Sequence, residues 1–407
     1  MTSFQTGAAT LGGLLVLGAL VSGLARRSIL SLAAVYVLAG FVLGELGILT
    51  FHADSGFVSG LAAVALIVIL FRDGLEVEAE LLRGHWQVPL RHLAVGMPIT
   101  AIAVALLTRA LVGLDWTESF LLGALLSPTD PVLSSRVVTD ERVPALVRHT
   151  LNLESGLNDG LALPAVLAFA AALEAGNSDF VWWHFVLQDV GLGLVFGLVC
   201  GVIGSLLMPR GAARGSAIPG RQKALYSLGL AFATYGLTVV PPRGNGFIAV
   251  FVAAIVIGNR RADLRSSFAD RGGEVVEIVK LGVFAVFGSL FTVHELLLDG
   301  WAGAGVVAGT LLLARPLAIF TALAGTSVPR VDRVFMSWFG PKGVATITFS
   351  LLVLSRNVRG AERIFDLAAL AVFCSILVHG ASEIPGIRWL ARRQRGAAQP
   401  TTPSSAA

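Results

Sequence analysis

The sequence predicts an all-α polytopic membrane protein of about thirteen transmembrane helices, arranged as two inverted six-helix repeats with discontinuous helices. Three observations carry this. Apolar residues make up 55% of the 407 and charged residues 14%, where soluble domains carry roughly 25% charge; mean hydropathy is +0.79. Apolar runs near the roughly 20 residues that cross a bilayer as helix recur along nearly the whole length. Arginines gather in alternate short loops, which accounts for the net charge of +4 by the positive-inside rule and without nucleic acid as partner.

The expected spans, in order, fall at about 8–25, 29–49, 56–72, 88–109, 117–137, 145–173, 185–208, 222–240, 244–260, 273–297, 301–325, 334–355 and 364–386. Only Pro241-Pro242-Arg243-Gly244 separates the eighth from the ninth, and Pro-Pro favours a turn there. Basic loops hold Arg26 and Arg27; Arg72, Arg83 and Arg91; Arg136, Arg142 and Arg148; Arg210, Arg214, Arg221 and Lys223; Arg260, Arg261, Arg265 and Arg271; and Arg330 and Arg333. The intervening loops carry Asp54, Asp115, Glu118, Glu174, Asp179 and Asp299; one, with Arg356, Arg359 and Arg363, breaks the pattern. The bias puts the N-terminus outside and the C-terminus in the cytoplasm, which requires an odd number of spans. Residues 1–387 read as one membrane domain and 388–407 as a short disordered cytoplasmic tail, rich in Arg, Ala, Pro, Ser and Thr. Cys200 and Cys374 lie in apolar stretches, without the spacing of a disulfide or metal site.

Two spans carry helix breakers. In the fifth, Pro128 and Pro131 flank Thr129 and Asp130. Prolines three apart remove two helix donors and clash with the preceding turn. The helix is expected to open there, exposing backbone carbonyls and a polarised half-helix end suited to an ion. A simple kink is the alternative, but it leaves Asp130 between the prolines unexplained. In the twelfth span the breaker is Gly340-Pro341-Lys342-Gly343. If spans 1–6 and 8–13 are repeats, both breakers fall in the fifth helix of a repeat, and the odd offset of seven spans inverts one repeat against the other.

The sixth span carries Glu154, Ser155, Asn158 and Asp159. Their spacing makes one polar stripe of carboxylate, hydroxyl, amide and carboxylate. Such groups are costly in a bilayer and mark substrate or ion pathways. Gly156 and Gly160 are expected to admit a neighbouring backbone. Oxygen ligands of this kind suit a hard cation, and a desolvated carboxylate also holds a proton. Asp159 is therefore the expected exchanging acid; a structural hydrogen bond between helices is the bland reading. Thr129 and Asp130 with Asn158 are expected to hold the fifth helix open, by capping or through contact with the cation. Arg315 in the eleventh span needs an acid, and Glu154 is the natural one. Lys342 either offsets a broken-helix dipole or snorkels to the interface. His294 and His379 are more simply packed residues than pH sensors. Phe71-Arg72-Asp73-Gly74-Leu75-Glu76-Val77-Glu78 reads as charges in a solvated loop at the end of the third span.

These motifs, taken in order, resemble the monovalent cation:proton antiporter family, in the NhaP-like branch that includes the animal Na⁺/H⁺ exchangers. The most specific are Ser127-Pro128-Thr129-Asp130-Pro131 and Glu154-Ser155-Gly156-Leu157-Asn158-Asp159-Gly160. Phe71 to Glu76, Ala314-Arg315-Pro316-Leu317, Gly340 to Gly343 and Ile376-Leu377-Val378-His379-Gly380 support them. The resemblance implies the Na⁺/H⁺ antiporter fold in the cell (inner) membrane, as a homodimer. Spans 1–3 and 8–10 would form the dimerisation part, and spans 4–6 and 11–13 the transport core. It implies that Asp159 carries the cation and the proton, with Thr129, Asp130, Ser155 and Glu154 around the ion. Asn158, Glu154, Arg315 and Lys342 would form the structural core, and the Asn-Asp pair is associated with electroneutral exchange. Lys342 stands where relatives often have Arg, and His379 where they commonly have a neutral polar residue. The expected activity is transport without enzyme chemistry or cofactor: Na⁺, and with it Li⁺, against H⁺. K⁺/H⁺ antiport at the same site is the alternative, and a cation channel or a non-transporting scaffold are the further ones.

Overall fold

The computed structural model describes residues 32–49, 55–77, 86–130, 135–174, 180–209, 218–241 and 243–398, with a few isolated positions besides. The described residues form helices and no strands. In chain order these are α1 (Leu32–Glu45) and α2 (Gly56–Glu76), α3 (Gln87–Leu111), α4 (Trp116–Leu126), α5 (Ser135–Thr139) and α6 (Ala145–Glu174). They continue with α7 (Trp182–Leu207), α8 (Gly220–Val239), α9 (Gly246–Arg260), α10 (Ala262–Arg271), α11 (Gly273–Ser289) and α12 (Val293–Leu296). The last are α13 (Gly300–Ala322), α14 (Arg330–Trp338), α15 (Val344–Ser355) and α16 (Ala361–Ala398).

Each expected span from the second to the thirteenth has its helix, while the first lies almost wholly outside the described residues. The eighth and ninth spans are separate, as the turn at 241–244 predicts. Asn245 starts α9, its Oδ1 accepting from the Phe247 and Ile248 amides at 3.1 and 3.3 Å, the usual device for a helix's unpaired first donors. Two expectations need correction. The tenth span ends at Ser289, not 297: Thr292 and Glu295 form a capping box that begins the short α12. Residues 388–398, expected as disordered tail, continue α16. Ile387 and Leu390 explain this, because both are buried in a cluster with Phe335, Met336 and Phe339.

The short apolar helices make sense once the breaks are seen. At 11 and 12 residues, α4 and α15 are too short to span at 1.5 Å per residue. Each is half of a span whose other half lies beyond a break: α5 for α4, and α14 for α15. Another pair of irregularities sits seven spans apart. Besides the π-helical turn Phe185–Gly191 in α7, one occupies His92–Gly96 in α3 and another Thr310–Ala314 in α13. The latter two each precede a proline, Pro98 and Pro316. Proline lacks the amide that an α-turn needs, and the wider turn accommodates that loss.

Packing divides along two lines. α7 lies on α9 through Gly193, Gly197 and Gly201, small residues at every fourth position that bring the backbones together. α2 packs on α9, α11 and α15, and α11 also packs on α1. A second apolar cluster joins Val137, Val147, Ile319, Phe335 and Ile387, from α5, α6, α13, α14 and α16. At the surface, buried Arg261 donates from Nη1 to the Ser205 and Met208 carbonyls at 2.8 and 2.6 Å, closing the end of α7. Arg261 also hydrogen-bonds Asp263, and with Lys223 it holds that carboxyl far below the usual carboxylate range.

Candidate ion site at two crossed helix breaks

Ser127–Asp130 and Phe339–Gly343 are non-helical segments that meet deep in the protein. Their freed backbone groups answer each other, as a water-poor interior demands. The Asp130 amide donates to Pro341 O at 2.9 Å. The Asp130 carboxylate accepts the Val344 amide at 3.0 Å, at the start of α15. An acid at that position satisfies an orphan donor and the positive end of the helix together. Lys342 Nζ donates to Pro128 O at 3.3 Å and its amide to Ser375 Oγ at 2.8 Å. Lys342 is 1% exposed, which excludes snorkelling to the interface. Thr346 Oγ1 donates to Leu125 O at 2.9 Å, where α4 ends. Pro131 lies outside the described residues.

The approach is close enough to require glycine at Gly343. A Cβ there would lie 2.4 Å from the Asp130 Cβ and Oδ2. Gly343→Ala is therefore expected to push the two breaks apart, destabilising the protein by about 1–3 kcal/mol. Thermal unfolding in detergent measures this; a variant as stable as the parent would show that the crossing yields without loss.

α6 brings its polar stripe against this crossing. Asn158 Nδ2 donates to Thr129 O and Oγ1 at 3.1 and 3.0 Å. Thr129 Oγ1 donates to Glu154 Oε1 at 3.3 Å. Arg315 grips Glu154 with two bonds, Nη1 to Oε1 at 2.8 Å and Nη2 to Oε2 at 3.2 Å. Its remaining donors reach the Met336 and Phe339 carbonyls at the end of α14. His92 Nδ1 shares a hydrogen bond with Glu154 Oε2 at 2.9 Å. Glu154 is thus fully engaged, and it holds three elements together.

Asp159 is the contrast. It is 6% exposed, yet its Oδ1 has no hydrogen-bond partner among the described residues. Asn158 Oδ1 is likewise unpartnered. Ser155, one turn earlier on α6, is also buried. Exposure rises along α6 from buried Asp159 through half-buried Gly156 to exposed Asn152. The two glycines do not act as the sequence reading expects. Gly160 meets the ring of Phe251 on α9 instead of a backbone, and a Cβ on Gly156 would meet nothing within 4 Å. The open side at Gly156 leaves room beside the acid.

Other groups at this site escape the sequence reading. Arg72 and Asp73 belong to the last turns of α2, not to a solvated loop; Asp73 is 2% exposed and accepts from Arg72 Nη2 at 2.5 Å. Residues 78–85 lie outside the described part. Asp73, Asp130, Lys280 and Arg72 are among the charged groups within electrostatic reach of Asp159. Lys280, in Ile278-Val279-Lys280-Leu281-Gly282 of α11, carries a signal that a search for charges inside apolar runs finds. His92, beside Arg91 at a helix start, carries none. His379 bonds Ser375 and the Trp338 carbonyl, a packed role. His294 lies on the exposed α12, far in sequence and contact from the crossing.

Comparison with known proteins fits this geometry. The chain is 27% identical over 366 residues to the K⁺/H⁺ antiporter NhaP of Alkalimonas amylolytica, covering 88% of this chain and 62% of that protein's length. It is 30% identical over 353 residues to the Na⁺/H⁺ antiporter NhaP of Pseudomonas aeruginosa, covering 79% of each. The fold matches the sodium proton antiporter MjNhaP1 of Methanocaldococcus jannaschii at pH 8, with TM-score 0.81 and 20% identity over 96% of this chain and 99% of that one. The family model described as sodium/hydrogen exchanger, transmembrane, matches residues 13–389, so the chain belongs to the sodium/hydrogen exchanger family of multi-pass membrane proteins.

Proposed function

We propose that this chain is a secondary antiporter that exchanges one monovalent cation for one proton at Asp159, by alternating access. The observation that carries this is the buried Asp159 carboxylate with a free oxygen, beside two crossed helix breaks. A carboxylate so placed takes up a proton or a cation to offset its charge, and the two compete for the same oxygens. Ser155 and the carbonyls of the opened segment near Thr129 supply further oxygen ligands suited to a hard cation. Glu154 is already neutralised by Arg315, so it positions Thr129 and does not carry ions.

K⁺ is the first cation to test. Relatives aligned over 88–89% of this chain are named K⁺/H⁺ antiporters, which supports testing K⁺ ahead of the expected Na⁺. The 30% identical relative named for Na⁺ keeps that second reading in play. On this reading the chain works in the inner membrane as a homodimer with its N-terminus outside, and the α6 end bearing Asn152 faces the cytoplasm beside the arginine-rich loops. The apolar cluster linking α5, α6, α13, α14 and α16 supports a transport core that moves as a unit. The paired breaks and paired π-turns, each pair seven spans apart, support two inverted repeats.

The test is proton flux in proteoliposomes carrying a pH gradient, with the membrane potential held at zero. Addition of K⁺ is expected to dissipate the gradient, at lower concentration than Na⁺ or Li⁺. Cation current without proton movement would show a channel, and no response to any of the three would end the antiport reading.

A further inference from the structure

Lys280 sits within α11, 5% exposed, on a helix that packs against α1, α2, α10 and α15. Its Nζ has no hydrogen-bond partner among the described residues. A buried ammonium is normally tied to an acceptor, because its desolvation is costly. The charges acting on it are Arg72 and Asp73 from α2, Asp130 from the first break and Asp159 from α6. Glu76, exposed in the last turn of α2, also couples to it. α15 carries no titratable side chain, while α1 carries Tyr36 and Glu45, α10 carries Asp263, Arg265, Asp270 and Arg271, and α11 itself carries Glu274 and Glu277.

We propose that Lys280 is a tethered cation of the ion site, which sets the affinity for the transported cation by competing with it for the field of Asp159, Asp73 and Asp130. The proposal rests on the antiport reading. When ionised, the buried cluster holds three carboxylates, of Asp73, Asp130 and Asp159, against Arg72 and Lys280. Among these five groups one negative charge is left over, which a single monovalent cation or a single proton offsets; buried Lys342, on Pro128 O, and exposed Glu76 stand outside that sum and are opposite in sign. Arg72 is committed to Asp73 by two bonds, and Asp130 is committed to the α15 amide. Lys280 alone has no fixed bond to give up. Its flexible stem lets the ammonium lean towards Asp159 when the site is empty and withdraw when a cation arrives. Lys280 is carried by α11, while Asp159 and Asp130 belong to α6 and the crossing. Relative movement of these elements therefore changes the distance between them, and with it the affinity.

The experiment compares Lys280→Gln, Lys280→Met and Lys280→Arg with the parent in proteoliposomes, using K⁺ and Na⁺ chloride, alongside Asp159→Asn. Apparent KM for the cation is expected to fall about tenfold in Lys280→Gln and Lys280→Met, the size expected from removing one charge several ångströms away inside a protein. The maximal rate falls with it, because a tightly held cation leaves slowly. Lys280→Arg is expected to keep KM within about twofold of the parent, since the charge is retained. Melting temperatures of the purified variants report folding separately and are expected to stay level or rise, as an unpaired buried charge is removed. An unchanged KM in folded Lys280→Gln, or an equal change in Lys280→Arg, overturns the proposal while leaving antiport intact. A parent that exchanges nothing, or an Asp159→Asn variant that still exchanges, overturns the antiport reading and this proposal with it.

Discussion

Asp159→Asn is expected to abolish cation-driven proton flux, by at least about a hundredfold, while leaving the protein folded. Asparagine keeps the size and shape of the side chain but can neither release a proton nor offset a cation. The carboxylates of Asp73 and Asp130 are then matched in number by the cations of Arg72 and Lys280, so the electrostatic demand for an ion falls. Stability is expected to hold or rise. The carboxylate has an oxygen without partner among the described residues, and leaving a buried charged acceptor unsatisfied costs more than burying a neutral one. The paired measurement is proton flux in proteoliposomes together with thermal unfolding of the purified variant. Flux retained in a folded variant would place the exchanging group elsewhere.

Breaking the Glu154–Arg315 pair is expected to have the largest effect on stability. Glu154→Gln leaves a guanidinium buried at 4% exposure with only neutral oxygens to meet it. Removing one partner of a buried ion pair typically costs about 3–5 kcal/mol. The loss spreads, because Glu154 also accepts from Thr129 and bonds His92. The paired change Glu154→Leu with Arg315→Met removes both charges and is expected to recover part of the loss. Recovery stays incomplete, since Arg315 also holds the Met336 and Phe339 carbonyls where α14 ends. Melting temperatures of the single and double variants measure this; equal losses from both would mean that the carbonyl contacts, not the charge pair, dominate.

What the sequence made legible depended on how local the signal was. Spans are stretches of consecutive apolar residues, so they could be placed before any packing was known. The breaks are marked by Pro128 and by Gly340-Pro341, residues that act on their own backbone. Arg315 is the one charge in its span, and the sixth span offers it only Glu154 and Asp159 as acids, so few pairings are possible. Asp73 failed this kind of reading. It stands near a helix end, where charges are cheap, and only the fold of α2 against α9 and α11 shows that it is buried. His92, next to Arg91 at the start of a span, carries no signal of its own, and only the fold of α3, with its π-turn, sets its ring against Glu154. Lys280 was visible in principle, but its relation to Asp159 joins residues more than a hundred positions apart. The capping box that shortens the tenth span was local, and Thr292 with Glu295 could have been read.

The contacts of Asp130 bear on how stiff the protein is in different directions. One residue is tied through its backbone to Pro341 and through its side chain to the start of α15. Pulling the two crossed segments apart would stretch both bonds at once. At Gly160, by contrast, α6 meets α9 through the phenyl ring of Phe251. Shear along that contact disturbs only dispersion forces, which are renewed as surfaces slide. The crossing is therefore expected to resist displacement more than the α6–α9 seam that borders Asp159.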